Sequence, residues 1–233
     1  LRHAVERDEL RLFYQPKIDL GTGRVIGMEA LVRWNHPEKG MISPGQFIPQ
    51  AEETSLILHL GEWVLHTACQ QASAWHKMGV PPLRMAVNIS AMQFYRIDLA
   101  EMVAQLLDHY QLPASLLELE ITESIIMDDV DSAIETMKKL TSMGIKLSID
   151  DFGTGYSSLS YLKRFPISTL KIDRSFINDI TVNEQDAAIA LSIISMARHL
   201  GIEVIAEGVE NQDQLSFLQQ HHCQYGQGYL FNR

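Results

Sequence analysis

Short runs in which apolar and polar residues alternate recur along the whole chain. They fall at 11–18, 24–34, 84–90, 116–122, 145–151, 169–173, 203–209 and 223–230, and alternation with period two marks a strand with one face buried. From the third run onward, each interval holds a segment of helical period, at 98–110, 129–143, 157–164, 184–200 and 211–220. Two further helical patterns, near 46–53 and 56–78, follow the second strand. The first two strands are joined by Asp19-Leu20-Gly21-Thr22-Gly23, which predicts a hairpin. Repeated β-then-α units at this length predict a parallel sheet closed as a barrel, with an open doubly wound sheet as the alternative. No Pro/Gly/Ser-rich stretch divides the chain, so 1–233 is expected to form one domain.

Parity within the strands separates two faces. Leu117, Leu119 and Ile121 oppose Leu116, Glu118, Glu120 and Thr122. Ile145, Leu147 and Ile149 oppose Lys146, Ser148 and Asp150. Leu170 and Ile172 oppose Thr169, Lys171 and Asp173, and Met85, Val87 and Ile89 oppose Ala86, Asn88 and Ser90. In a barrel the apolar face meets the helices and the polar face points inward. Ordinary barrels fill the inside with Val, Ile and Leu; this one is expected to fill its C-terminal mouth with acids, an amide and one lysine. The polar residues nearest the strand ends are Glu29, Asn88, Glu120, Asp150 with Asp151, Lys171 and Glu207. Lower down, Glu118 and Lys146 match in parity on adjacent strands and are expected to pair.

Composition narrows the chemistry. The 233 residues carry a formal net charge of -10, which argues against a broad nucleic-acid surface. A small phosphate ligand stays possible, because bound divalent cations invert a local field. Hydrophobic residues make up 46%, enough for a core, and no apolar run reaches membrane-spanning length. The two cysteines, Cys69 and Cys223, give no disulfide framework. There is no zinc spacing, P-loop or dinucleotide fingerprint. Carboxylates and an amide oxygen are hard ligands suited to Mg²⁺ or Mn²⁺, and their number points to two ions, an arrangement suited to phosphoryl chemistry. The opening, LRHAVERDEL, is charged and lacks Met, so an excerpt of a longer protein is expected.

The motifs Phe13–Pro16 (FYQP), 28–34 (MEALVRW), 47–52 (FIPQAE), 87–90 (VNIS), 118–124 (ELEITES), 150–162 (DDFGTGYSSLSYL), 170–173 (LKID), 206–210 (AEGVE) and 227–231 (QGYLF) occur in order. Together they resemble the EAL domain family of cyclic di-GMP phosphodiesterases. The resemblance implies a TIM-like (β/α)8 barrel with the first strand antiparallel to the others. It implies hydrolysis of cyclic di-GMP to linear pGpG with two Mg²⁺ or Mn²⁺ ions, within a longer, cytoplasmic or membrane-anchored signalling protein. It places metal ligands at Glu29, Asn88, Glu120, Asp150 and Asp151, and catalytic roles at Lys171 and Glu207. Gln15, Arg33 and Gln227 match substrate-near positions, and Glu123 matches a residue that steadies the glycine loop Gly153-Thr154-Gly155. It also points to a homodimer through the 150–165 loop and helix, with Tyr156, Leu159, Tyr161, Leu162 and Phe165 at the contact. A non-catalytic cyclic di-GMP receptor and an enolase-type barrel are the rival readings.

Overall fold

In a computed structural model, which describes residues 1, 3–155 and 159–232, the chain begins its sheet with a hairpin of β1 (Leu10–Asp19) and β2 (Val25–His36). Its turn is held by Asp19, whose Oδ1 accepts the backbone N–H of Gly21 and of Thr22, each at 2.9 Å. This side-chain-to-backbone bonding is why Asp favours such turns. β2 extends beyond the barrel into a short antiparallel partner, β3 (Gly40–Ile42). The remaining strands are β4 (Arg84–Asn88), β5 (Leu117–Thr122), β6 (Lys146–Phe152), β7 (Thr169–Ile172), β8 (Glu203–Ala206) and β9 (Tyr225–Gly226).

From β2 the strands run parallel in the order β4, β5, β6, β7, β8, β9, and β9 returns to β1 in antiparallel register. Eight strands thus close a TIM-like barrel in which the first strand alone is reversed, and the open-sheet alternative is set aside. The helices in chain order are α1 (Pro44–Glu53), α2 (Leu56–Lys77), α3 (Ala91–Arg96), α4 (Leu99–Tyr110), α5 (Glu123–Asp128), α6 (Val130–Ser142), α7 (Leu159–Leu162), α8 (Arg174–Asn178), α9 (Glu184–Leu200) and α10 (Gln212–Gln220). None of the described helices is long and apolar enough to cross a membrane.

The predicted parity holds. Leu117, Leu119 and Ile121 are fully buried against the helical layer, and Glu118 and Glu120 are buried on the other face, inside the barrel. The predicted strand at 223–230 pairs over Tyr225–Gly226 alone. Beyond it, Val209 N–H donates to the Gln227 carbonyl and Leu230 N–H to the Val209 carbonyl, so the chain folds over the loop after β8. Cys69 and Cys223 are both buried free thiols. Of the apolar residues expected at a dimer contact, Leu162 and Phe165 are buried in the core and Tyr161 is half-buried. Tyr156 and the Leu159 side chain lie outside what the structure describes.

One glycine is required by packing. Gly61 lies inside α2, in its second turn, where Ala would ordinarily gain about 1 kcal/mol in helix propensity. A Cβ there would come within 2.2 Å of the Gln93 side-chain amide. Gln93 is itself buried and fixed by a reciprocal cap with Ser90 at the start of α3. Gly61→Ala is therefore expected to destabilise the domain by about 1–3 kcal/mol, the usual cost of overpacking. Urea unfolding checks this; an unchanged or raised midpoint would show that Gln93 moves aside freely.

Candidate active site

The C-terminal ends of the parallel strands converge on one ammonium. Lys171 projects from β7 into the barrel and is wholly buried. Its Nζ lies 2.7 Å from Glu120 Oε2 on β5, 2.8 Å from Glu207 Oε1 just past β8, 3.0 Å from Asp150 Oδ1 on β6 and 3.4 Å from Glu29 Oε2 on β2. Asn88, at the end of β4, donates to Glu29 Oε1 at 2.8 Å. Gln227 donates through Nε2 to Glu29 Oε2 at 2.7 Å and to Glu207 Oε1 at 2.9 Å. The Gln227 Oε1 is buried and has no hydrogen-bond partner among the described residues. Gln15 sits directly opposite Glu29 in the β1–β2 register. Arg33 shares the Glu29 face of β2 four residues on; its guanidinium bonds only the Val32 carbonyl, at 2.9 Å, and makes no ion pair among the described residues.

Asp151 completes the acidic group. Oxygens of Asp150, Asp151 and Glu207 all lie within 4.8 Å of one another. Asp151 has a positive φ of 52°, which directs the chain out of the strand into the glycine loop. Short polar residues such as Asp tolerate this conformation better than most.

Charge in this pocket is unbalanced. Five carboxylates (Glu29, Glu120, Asp150, Asp151 and Glu207) face Lys171. The excess shows in the titration of the acids. Burial, opposed by Lys171 and reinforced by Asp150 and Glu29, pushes Glu207 up to about 8. Burial, then Asp150 and Asp173, push Asp151 up to about 6. Glu29 is held low instead: the cost of burial is outweighed by Lys171 and Lys17, helped by the Gln227 and Asn88 hydrogen bonds. A cluster of hard oxygen donors in which some acids are held near neutrality for want of cations fits divalent ions by the chemistry of its donors.

One local expectation changes. Glu118 does not pair with Lys146, whose side chain is exposed at the first position of β6 although its Cα is in register with Glu118. Glu118 Oε1 instead accepts from Lys17 Nζ at 2.7 Å, and its Oε2 lies 3.7 Å from Arg84. Lys17, which strand-end reasoning passes over, is buried and also bonds Glu120 Oε1 at 2.7 Å. The signal for it was parity with Gln15 on β1. In the glycine loop, Glu123 is buried at the start of α5 and its Oε2 accepts the Gly153 N–H at 3.1 Å. Thr154 turns away and donates to the Asp151 carbonyl at 2.8 Å. Gly155 passes so close to Glu123 that a Cβ would sit 2.7 Å from Oε1.

The fold and the cluster define a TIM-like α/β barrel with acids and a lysine gathered at the C-terminal ends of its strands, where such barrels carry their sites. The chain belongs to the EAL domain family, whose model matches residues 1–233. Across its whole length it is 48% identical to the bifunctional diguanylate cyclase/cyclic di-GMP phosphodiesterase MucR of Pseudomonas aeruginosa, covering 34% of that protein. It is 47% identical to the cyclic di-GMP phosphodiesterase NbdA of the same organism, covering 30% of it. The chain thus spans about a third of the length of these curated relatives. Among solved structures, the PaMucR phosphodiesterase in complex with c-di-GMP superposes with a TM-score of 0.97 at 48% identity, over 100% of this chain and 94% of that one. The EAL enzyme Bd1971, in its cAMP- and cyclic-di-GMP-bound form, gives 0.94 at 37% identity, over 99% and 63%.

The described bond from Glu123 to the Gly153 N–H can be tested by itself. A hydrogen bond to a charged group contributes about 1.5–3 kcal/mol. Glu123→Ala is expected to speed hydrogen exchange at the Gly153 amide by roughly tenfold or more while the β5 amides keep their protection. Equal exchange at Gly153 in both proteins would show that the loop is held by other contacts.

Proposed function

We propose that this domain hydrolyses cyclic di-GMP to linear pGpG with two bound divalent ions, Mg²⁺ or Mn²⁺. The observation that carries the reading is the convergence of four carboxylates on the Lys171 ammonium, with Asp151 completing a close cluster with Asp150 and Glu207. Membership of the EAL family and the close likeness to a phosphodiesterase with c-di-GMP bound support the same substrate. In this reading Glu29, Asn88, Glu120, Asp150 and Asp151 hold the ions. Such ions, when bound, supply Lewis acidity at the phosphate and a water of lowered pKa.

The chain's own groups do the rest. Lys171 places a positive charge beside the phosphate being attacked and orients the nucleophilic water. Glu207, bonded to Lys171 and Gln227, takes up the proton of that water as a general base, in the charged form that bound cations would favour. Arg33, whose guanidinium makes no ion pair among the described residues, offers its fork to a phosphate oxygen pair. Gln15 and Gln227 supply amides at the level of Glu29. The chain is proposed to be one domain of a longer cytoplasmic or membrane-anchored signalling protein. Homodimerisation through the 150–165 region is proposed with it, and with Leu162 and Phe165 buried, Tyr161 is the named described residue there left partly open.

Incubation with cyclic di-GMP and analysis of the products tests the function. Linear pGpG should form with Mg²⁺ or Mn²⁺, fail to form in excess chelator, and form far more slowly with Ca²⁺, which prefers more ligands and longer bonds. Binding without turnover in Mg²⁺ and Mn²⁺ would make the domain a receptor.

Two variants separate the roles. Glu207→Gln should fold and bind substrate while turnover falls by about 10²–10⁴-fold, the usual weight of a general base. Lys171→Ala should also lose turnover, but it leaves four carboxylates without their shared cation. It is therefore expected to lose about 3–5 kcal/mol of stability in metal-free buffer, as when one partner of a buried ion pair is removed. Denaturant unfolding of both variants would distinguish them, and equal stabilities would contradict the structural part of the Lys171 role.

A further inference from the structure

Beneath the acidic mouth lies a second set of charges that the proposed chemistry does not use. Glu203 Oε2, at the start of β8, lies 2.9 Å from Arg84, and Arg84 lies 3.7 Å from Glu118 Oε2. Glu118 Oε1 and Glu120 Oε1 are each 2.7 Å from Lys17 Nζ, and Glu120 Oε2 is 2.7 Å from Lys171. Charges therefore alternate from the floor of the barrel to its mouth. Glu120 is where that chain meets the proposed metal centre. One of its oxygens is committed downward to a lysine that is itself only 1% exposed, so the carboxylate cannot turn without breaking a buried ion pair. The other oxygen, Oε2, is the one on the side of the mouth, where it meets Lys171.

We infer that Lys17 is a positioning residue that makes Glu120 a one-oxygen ligand and thereby sets which divalent ion the site accepts. This rests on the proposed metal-dependent reading. The chemistry follows from ion size. Mg²⁺ demands near-ideal octahedral geometry with short bonds, whereas Ca²⁺ takes more ligands and readily accepts both oxygens of a carboxylate. Mn²⁺ is served by the same hard ligands as Mg²⁺. Pinning one oxygen of Glu120 withholds a two-oxygen contact from Ca²⁺. Releasing it should relax the discrimination.

Charge alone cannot imitate this effect. Mn²⁺ and Ca²⁺ carry the same charge, so loss of the Lys17 cation shifts both affinities together. Freedom of the Glu120 carboxylate changes their ratio.

The experiment is calorimetric titration of the substrate-free domain with Mn²⁺ and with Ca²⁺. Lys17→Met leaves two buried acids facing each other, so the scored variant is Lys17→Met with Glu118→Gln, which removes one charge of each sign. Its Ca²⁺ affinity relative to Mn²⁺ is expected to rise by about tenfold or more, the low end of what loss of a ligand-orienting partner does. Glu118→Gln alone keeps Lys17 on Glu120 and should leave the ratio unchanged. A ratio within about twofold of the unaltered domain in the double variant overturns the inference, and so does a double variant that fails to fold, which would assign Lys17 to stability. If the unaltered domain binds neither ion, the metal-dependent reading falls and this inference with it. If it binds both and the ratio is insensitive to Lys17, only the inference falls.

Discussion

An ammonium cannot be buried in a protein interior by itself. The cost of removing it from water is several kcal/mol even after relaxation, and Lys171 has no access to solvent. Its charge is tolerated because β2, β5, β6 and the turn after β8 each bring a carboxylate to within 3.4 Å. A slip of one residue in β5 would exchange its inner and outer faces, placing Leu119 or Ile121 where Glu120 is needed, and a slip in β2 would put Met28 or Ala30 in place of Glu29. Closure of the barrel and assembly of the site are therefore one constraint. The polar interior is not the source of stability, since buried ion pairs return little net energy. Stability comes from the outer faces, where residues such as Leu119, Ile121, Leu147 and Leu170 are wholly buried against the helices.

The same arrangement leaves the mouth short of positive charge. Lys17 bonds Glu118 and Glu120, so Lys171 is the cation in direct contact with Glu29, Asp150 and Glu207. The acids respond in two ways. Glu29, which Lys171, Lys17, Gln227 and Asn88 all favour, keeps its charge, whereas burial and neighbouring acids push Glu207, Glu120 and Asp151 toward the neutral form. Asp151 also carries a backbone conformation that few residues accept, and unusual backbone tends to collect at functional sites. The loop that follows bonds through the Gly153 N–H to Glu123, so the position of Asp151 depends on a carboxylate that lies outside the acidic group.

Much of this was legible in the residues, because alternation and capping are local. Parity along 116–122, 145–151 and 169–173 separated the core face from the site face. Asn183 and Gly201 delimit α9, whose span matches the helical period read from the sequence at 184–200. The short elements β3, α3, α5 and α8 were not legible, since a few residues carry too little periodicity to register. The pairing of Glu118 failed for another reason. Register fixes which Cα atoms are neighbours, but a long side chain at the first residue of a strand, as at Lys146, reaches solvent at lower cost than it reaches the barrel axis. The particular roles of Gln15, Arg33 and Gln227 came from family resemblance, because a neutral amide or an arginine in a strand has no distinctive spacing.

Lys17 escaped notice because of the one strand that runs backwards. In the parallel strands the residues nearest the C-terminal end are those at the mouth, and that rule finds Glu29, Asn88, Glu120, Asp150 and Lys171. On β1 the order is inverted. Phe13 lies toward the rim and is half exposed, Gln15 is level with Glu29, and Lys17 lies beneath, paired in register with Gly27 near the start of β2. A parallel first strand would need a crossover of a dozen or more residues, whereas the turn between Asp19 and Val25 suffices for an antiparallel one. The reversal also changes what the strand can supply. The residues that a forward strand would spend on the floor of the barrel reach the mouth, and a lysine near the strand's end is left at the depth from which it can hold Glu120 from below.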